Sequence, residues 1–356
     1  MLTTQQAEGL LLKGAIQKYI ETRIPTTHLR GFFNRRTYDT TVIPLEVMRD
    51  NDYAAVDVMR GTNGNLNEAS KWSAKEIVPP FYHEKFNING LRFYERAMGM
   101  AASTATGKNR AALASEIADM LRKLNNKIIR AEELQCAQAL ETGVVTLVNG
   151  DSIDYRRKSD SLVDNSANPW TTASTDVEGQ LQAAGQFINQ YGANTTGVMD
   201  ITMSGQAWIA LQKTTFFKDK ANYNNVTLLA IGNPQNRNGA TYHGQITAGS
   251  FIFNIWTYDG TYLNGSGVRT RLTDETKVII TPSEGAMFEL AYGAVDQIVK
   301  TEGATSLSGM QVTKAAADYY VWDNIDRNNL VHTMHMTSAP IARLITVDQV
   351  YTMKVC

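Results

Sequence analysis

The chain has 356 residues, enough for two domains or for one domain with large extensions. A 43% hydrophobic and 19% charged composition reads as a soluble folded protein and excludes a disordered one. A formal net charge of -1 excludes a global basic field that would draw the chain to nucleic acid.

Cys136 and Cys356 have neither a CxxC partner nor a histidine cluster, so metal and redox-motif readings fail and a reducing compartment fits. The start, MLTTQQAEGLLLKGAIQKYI, lacks a charged region followed by an apolar core and a small-residue cleavage site. No predominantly apolar run reaches the roughly 18 residues a membrane helix needs. The expectation is a protein made in a cytoplasm, with no membrane partner. Asn-x-Ser/Thr triplets such as Asn194-Thr195-Thr196 then carry no meaning.

Residues 3–23 predict a short amphipathic helix with Leu10, Leu11, Ala15, Ile16 and Tyr19 on one face. Pro25 stops it, and LRGFFNRRTYDTTVIPLEV predicts an extended arm lying on another surface. YAAVDVMR at 53–60 alternates weakly and leads into the turn cluster GTNGN. KEIVPPFYHEKFNING returns extended, because Pro79 and Pro80 forbid a helix and disfavour a central strand. The pair predicts a long two-stranded arm, and an isolated hairpin is marginal in water. Trp72, Ile77, Val78, Phe81, Tyr82 and Phe86 are spaced through the stretch from Arg60 to Ile88, which has few apolar residues for its length.

From Lys108 to Glu141 there is no proline or glycine. Leu113, Ile117, Met120, Leu121, Leu124, Ile128, Ala131, Leu134 and Ala137 form one helical stripe. Gly143 supplies the C-terminal stop. At about 1.5 Å per residue the helix is a spine of roughly 50 Å. GVVTLVNGDSIDYRRKSD predicts a hairpin turning at Asn149-Gly150. A second helix is expected over about 174–191, with Val177, Leu181, Ala184, Phe187 and Ile188 on one face.

After Gly192 the pattern predicts a strand (VMDITMS), one helix capped by Ser204 (GQAWIALQKTTFFKDK), and a strand and loop (NNVTLLAIGNPQNRNGA). Short β segments follow in QITAGSFIFNIWTYDGTY, KVIITPS and AMFELAYGAV, making an α+β block over about 193–315. The remainder is β-rich, with Tyr351, Met353 and Val355 alternating as in a half-buried strand.

Chemistry is hard to find. His332 and His335 in HTMH invite a metal reading, but on a strand residues three apart point to opposite faces. His28, His83 and His243 stand isolated in sequence. No G-x-S-x-G, G-x-x-x-x-G-K-[ST] or G-x-G-x-x-G appears, and LNGSGVR at 263–269 reads as a surface turn. No carboxylate pair is marked as acid and base, the neighbourhood of Asp160 and Asp164 being ordinary loop polarity. Trp170 and Trp208 read as packing residues. The basic clusters Arg35-Arg36 and Arg156-Arg157-Lys158 read as solvated loop patches. No catalytic, cofactor-binding or metal residue is assigned, and an enzyme is disfavoured.

The order of parts (arm, long polar hairpin, spine helix, second helix, inserted α+β block, β-rich return) resembles the major capsid protein fold of tailed bacteriophages. FFNRRTYDTTVIPLEV, KEIVPPFYHEKFNI, MSGQAWIALQKTTFFKDK, TSAPIARL and VDQVYTMKV look like the lambda-type branch, the major capsid protein E family. The resemblance implies an α+β subunit with an N-terminal arm (1–51), extended loop (52–95), peripheral domain with the spine helix (96–192), axial domain (193–315) and a return to the peripheral domain (316–356). It also implies a homo-oligomer of hexamers and pentamers in an icosahedral virion shell, built around a scaffold, joined to a portal and expanded on maturation. In this branch a trimeric decoration protein often binds the shell. Packaged double-stranded DNA is enclosed without sequence-specific binding.

The intersubunit contacts expected on this reading are Phe32, Phe33, Arg35, Arg36, Trp72, Ile77, Val78, Phe81, Tyr82 and Phe86. No fused scaffolding prefix is expected, and none of Lys71, Lys75 and Lys85 matches a cross-linking lysine. Two other readings stay open, a cellular nanocompartment shell of the same fold and a small-oligomer α+β hydrolase or binding protein.

Overall fold

The computed structural model describes residues 28–48, 72–89, 105–147, 151–192, 197–223, 236–286, 288–300, 310–326 and 331–356. The predicted helix at 3–23 and the strand at 53–60 lie outside them. After a 3-10 turn (Leu29–Phe32) come β1 (Asn34–Thr37), β2 (Ile43–Met48), β3 (Trp72–Ile77) and β4 (Tyr82–Asn89). The spine helix α1 (Ala105–Thr142) leads to β5 (Val144–Thr146), β6 (Ser152–Asp154), β7 (Leu162–Asp164) and α2 (Val177–Tyr191). Next are β8 (Val198–Met203), α3 (Gly205–Lys213), α4 (Thr215–Tyr223), β9 (Asn236–Arg237), β10 (Ala240–Ala248) and β11 (Phe251–Tyr258). Two short strands, β12 (Thr261–Leu263) and β13 (Arg269–Arg271), precede β14 (Lys277–Pro282), β15 (Phe288–Tyr292), β16 (Val295–Lys300) and β17 (Met310–Ala315). The chain closes through β18 (Tyr320–Asp326), β19 (Val331–Ser338), β20 (Pro340–Leu344) and β21 (Tyr351–Lys354).

The spine helix is 38 residues long, a little more than its stripe predicts. It ends because Gly143 takes φ 74°, a left-handed conformation open to glycine, while its N–H bonds to Ala139 O at 3.0 Å. Two different sheets pack on its described side chains. Ile117, Leu121, Leu124 and Ile128 pack on Met334 and Met336 of β19, in the sheet ordered β18-β19-β4. About two to three turns on, Cys136, Ala137 and Leu140 pack on Phe288, Leu290, Ile341 and Leu344, in the sheet ordered β1-β15-β20.

A seven-stranded sheet, ordered β7-β21-β14-β8-β11-β10-β9, forms the third layer. Met199, Ile201, Phe253, Ile280 and Met353 share a core with Leu181 and Ile188 of α2 and Leu211 of α3. Gly185 lets α2 approach this layer, since a Cβ there would lie 2.5 Å from the Phe251 ring. The sheet draws strands from before, within and after the 193–315 block, with β21 seated between β7 and β14.

The helix expected from Gly205 onward is two helices. Thr214 is extended (ψ 151°), and its hydroxyl donates to Leu211 O at 2.6 Å and accepts from the Phe217 N–H at 3.3 Å. A side chain that competes for backbone hydrogen bonds at both ends divides the segment. α2 starts three residues later than expected, where the Asp176 carboxylate accepts from the Gly179 N–H at 2.9 Å. The strands of the predicted hairpin pair, with Val144 opposite Asp154, while its turn at Asn149-Gly150 lies outside the described residues.

Candidate assembly surface and its buried anchor

The arm is fixed to the spine helix by consecutive carboxylates. Glu133 accepts the backbone N–H groups of Leu29 (3.1 Å) and Arg30 (2.9 Å) and the hydroxyl of Tyr258 (2.7 Å) from β11. Glu132 meets Arg30 Nε at 2.9 Å, with both side chains almost fully buried. Tyr319 donates to Glu132 at 3.0 Å and Tyr292 lies at 3.2 Å, while Arg30 donates its Nη2 to both tyrosine oxygens at 3.1 and 3.2 Å. Arm, spine helix, β11, β15 and the approach to β18 thus converge on one helical turn.

Burial pushes Glu132 up to about 7, against the pull of Arg30 and the two tyrosine hydroxyls. Burial also works against the charge on Arg30, but Glu132 and the tyrosines outweigh it and hold the guanidinium above its usual range. The cation therefore stays charged, and the carboxylate is poised to take a proton near neutrality. Three residues on, Gln135 donates to Tyr82 Oη (2.8 Å) and accepts from the Ala342 N–H (3.1 Å), tying β4 to β20 across the same helix.

A second anchor corrects the sequence reading of Arg156-Arg157-Lys158 as a solvated patch. Arg157 is buried and donates to Leu140 O (2.8 Å), Thr352 Oγ1 (3.1 Å), Ser161 O (3.0 Å) and Val350 O (2.9 Å). It joins the end of the spine helix, whose last carbonyls have no partner within the helix, to β21. Burial lowers its pKa to about 9, with Asp348 opposing. Arg156 is exposed as expected, and Lys158 lies 3.5 Å over the Tyr191 ring.

The residues assigned to intersubunit contact fall into distinct places. Phe33 and Ile77 are buried in this chain's own core, Phe33 against Phe288 at 5.5 Å between ring centroids. Phe32 is half-buried on the same core, and Tyr82 and Phe86 are half-buried on the spine helix cluster. Arg35 and Arg36 are exposed, with long contacts to Asp318 (3.7 Å) and Glu289 (3.8 Å). Trp72 opens β3 opposite Met48. Val78 and Phe81 flank Pro79 and Pro80 and are 68% and 58% exposed.

The base of the predicted arm differs from expectation in its pairing. β3 runs antiparallel to β2, with Ile77 opposite Ile43, so the N-terminal arm is itself a partner of the returning strand. β4 leaves that ladder and joins β19.

The anchors escaped sequence reasoning. The available signal was Glu132-Glu133 interrupting the buried face that Ile128, Ile129 and Cys136 define. His332 and His335 do diverge: His332 Nε2 meets Asp323 at 2.9 Å, and His335 stacks on Trp322 at 3.7 Å. Among the described residues no group of three or more His, Cys, Asp or Glu could hold a metal ion, and no helix is long and apolar enough to cross a membrane.

The family profile described as phage major capsid protein E matches residues 12–355. No curated protein sequence matches significantly. Among solved structures, a prophage capsid protein of E. coli CFT073 superposes with a TM-score of 0.62 at 16% identity, covering 100% of this chain and 99% of that one. A phage-related protein from Bordetella bronchiseptica RB50 superposes with a TM-score of 0.50 at 10% identity, covering 97% and 96%. At such identities the likeness speaks for the fold.

Proposed function

The chain belongs to the phage major capsid protein E family, and from that premise we propose that its copies meet through the corner at Val78 and Phe81 as they close into hexamers and pentamers of an icosahedral head. The role is structural, not enzymatic. The observation carrying the contact assignment is the exposure of Val78 and Phe81 where, among the described residues, Phe32, Phe33, Tyr82 and Phe86 of the arm and loop pack within the chain. Two prolines between them hold the corner extended without offering N–H groups to stray strands. Each contact is modest, and the multiplicity of a closed shell makes the sum large.

Domains follow the proposed division into arm, extended loop, peripheral and axial parts. Assembly proceeds around a scaffold and onto a portal. Expansion then moves the body gathered on the spine helix as a unit, repacking the corner contacts. A trimeric decoration protein binding the expanded shell belongs to the same reading. Near-neutral charge suits a wall that encloses DNA without gripping its phosphates.

The test is a Val78→Asp, Phe81→Asp double variant. Its purified subunits should keep the native circular dichroism and melting temperature and form no shells in negative-stain images. Normal shells would overturn the contact assignment. Deleting residues 60–88 would be a poorer test, because it removes β3 and most of β4 from the subunit's own sheets. DNA in purified particles, as opposed to a protein cargo, separates a phage head from a nanocompartment.

A further inference from the structure

The pairing of β4 with β19 sets His83 opposite Thr337 and His335 opposite Lys85, so the two histidines are diagonal neighbours on one face. The opposite face carries Met334, Met336, Tyr82 and Phe86 onto the spine helix, which leaves the histidines on the other face, His83 exposed and His335 buried beside it. There Nε2 of His83 lies 2.9 Å from Nδ1 of His335. Trp322, across from His335 on β18, stacks on that ring at 3.7 Å and 3° and fixes its plane.

Two neutral imidazoles at this distance share a single proton. Two metal–nitrogen bonds of about 2.0–2.1 Å meeting near a right angle also span about 2.9 Å. A metal ion can therefore replace the proton once the two rings, whose centroids lie 5.1 Å apart, turn their facing nitrogens from each other toward a common point. We propose that His83 and His335 form a two-ligand site for an imidazole-preferring divalent transition metal, with Cu(II) the tightest and water completing the coordination.

The surroundings favour the neutral ligand form. Burial lowers the His335 pKa, His83 and Lys85 add to that, and Asp323 opposes them. Lys85 and Asp323, of opposite sign, are the charged groups acting on His335 from β4 and β18. A bound ion would cross-link β4, the strand returning from the extended loop, to β19. The sequence offered a different pair, His332 with His335, and strand pairing replaces one member.

The test uses the full chain, stripped by chelator and titrated with Cu(II), read by electron paramagnetic resonance and by melting temperature. Wild type should show coupling to two imidazole nitrogens and a rise in melting temperature. Losing even an outer-shell partner of a ligating histidine weakens metal binding about 10–100-fold, so His83→Ala or His335→Ala should weaken it at least as much. His332→Ala should leave it unchanged. Metal-free melting of each variant shows whether it folds, and His83, being exposed, gives the cleaner variant. Coupling that survives His83→Ala in a folded chain, or wild type without nitrogen coupling, would overturn the site.

Discussion

The turn of the spine helix around Glu132 and the corner at Val78 and Phe81 follow opposite rules. Around Glu132 charges are buried and matched within one chain: Arg30, Glu133 and three tyrosine hydroxyls leave that turn little to offer a partner. At the corner, large apolar side chains stand in water and the neighbouring backbone contains two prolines. Buried ion pairs add little net stability but fix a unique arrangement where every group is satisfied. Exposed apolar side chains cost little in the monomer and gain only when another surface covers them. One region therefore defines the subunit, and on the proposed reading the other defines the shell.

Substitutions should separate the two. The largest effect is expected from Arg157→Met, which strips four acceptors of their donor at about 1–3 kcal/mol for each that water cannot reach. Soluble yield and melting temperature should both collapse. Arg30→Met should cost about 3–5 kcal/mol at pH 8, the usual cost of stranding one member of a buried pair, measured as the shift in a denaturant midpoint. That loss should shrink at pH 5, where Glu132 takes a proton and no longer needs its cation.

The wild-type chain has its own pH trend here. The folded Glu132 pKa is raised to about 7 from an ordinary 4.5, so between those values the folded state holds a proton that the unfolded state releases. This contribution is present below pH 4.5 and lost as pH rises through 7. Glu132→Gln should flatten that slope, and an unchanged slope would show the pair titrating elsewhere. The smallest change in stability, within about 0.5 kcal/mol, is expected for Val78→Asp with Phe81→Asp. In shell counts by electron microscopy the order reverses, and this pair should have the largest effect among variants that still fold.

What could be read from the sequence was local. The spine helix follows from an uninterrupted stretch of helix formers ending at Gly143, and Ser204 caps α3 as expected, accepting from the Ala207 N–H at 3.1 Å. The pairing of β5 with β6 likewise needs only neighbours in sequence. The rest depends on distant partners: Arg30 meets Tyr292, 262 residues on, and Arg157 meets Thr352, 195 residues on. No local pattern marks an arginine as buried when its acceptors sit on segments brought together only by the fold. The family resemblance recovered the architecture and the role, but not which arm aromatics stay inside the chain.

The β4–β19 ladder also carries a consequence for biosynthesis. Thr333 and Asn87, hydrogen-bonded across it, are 246 positions apart. At roughly 5–20 residues per second the ribosome needs about 12–50 s to deliver the second strand after the first. Throughout that interval Tyr82 and Phe86 lack the β19 side of their cluster. The subunit therefore has a built-in waiting period in which a holding chaperone would have most to gain, before any question of shell geometry arises.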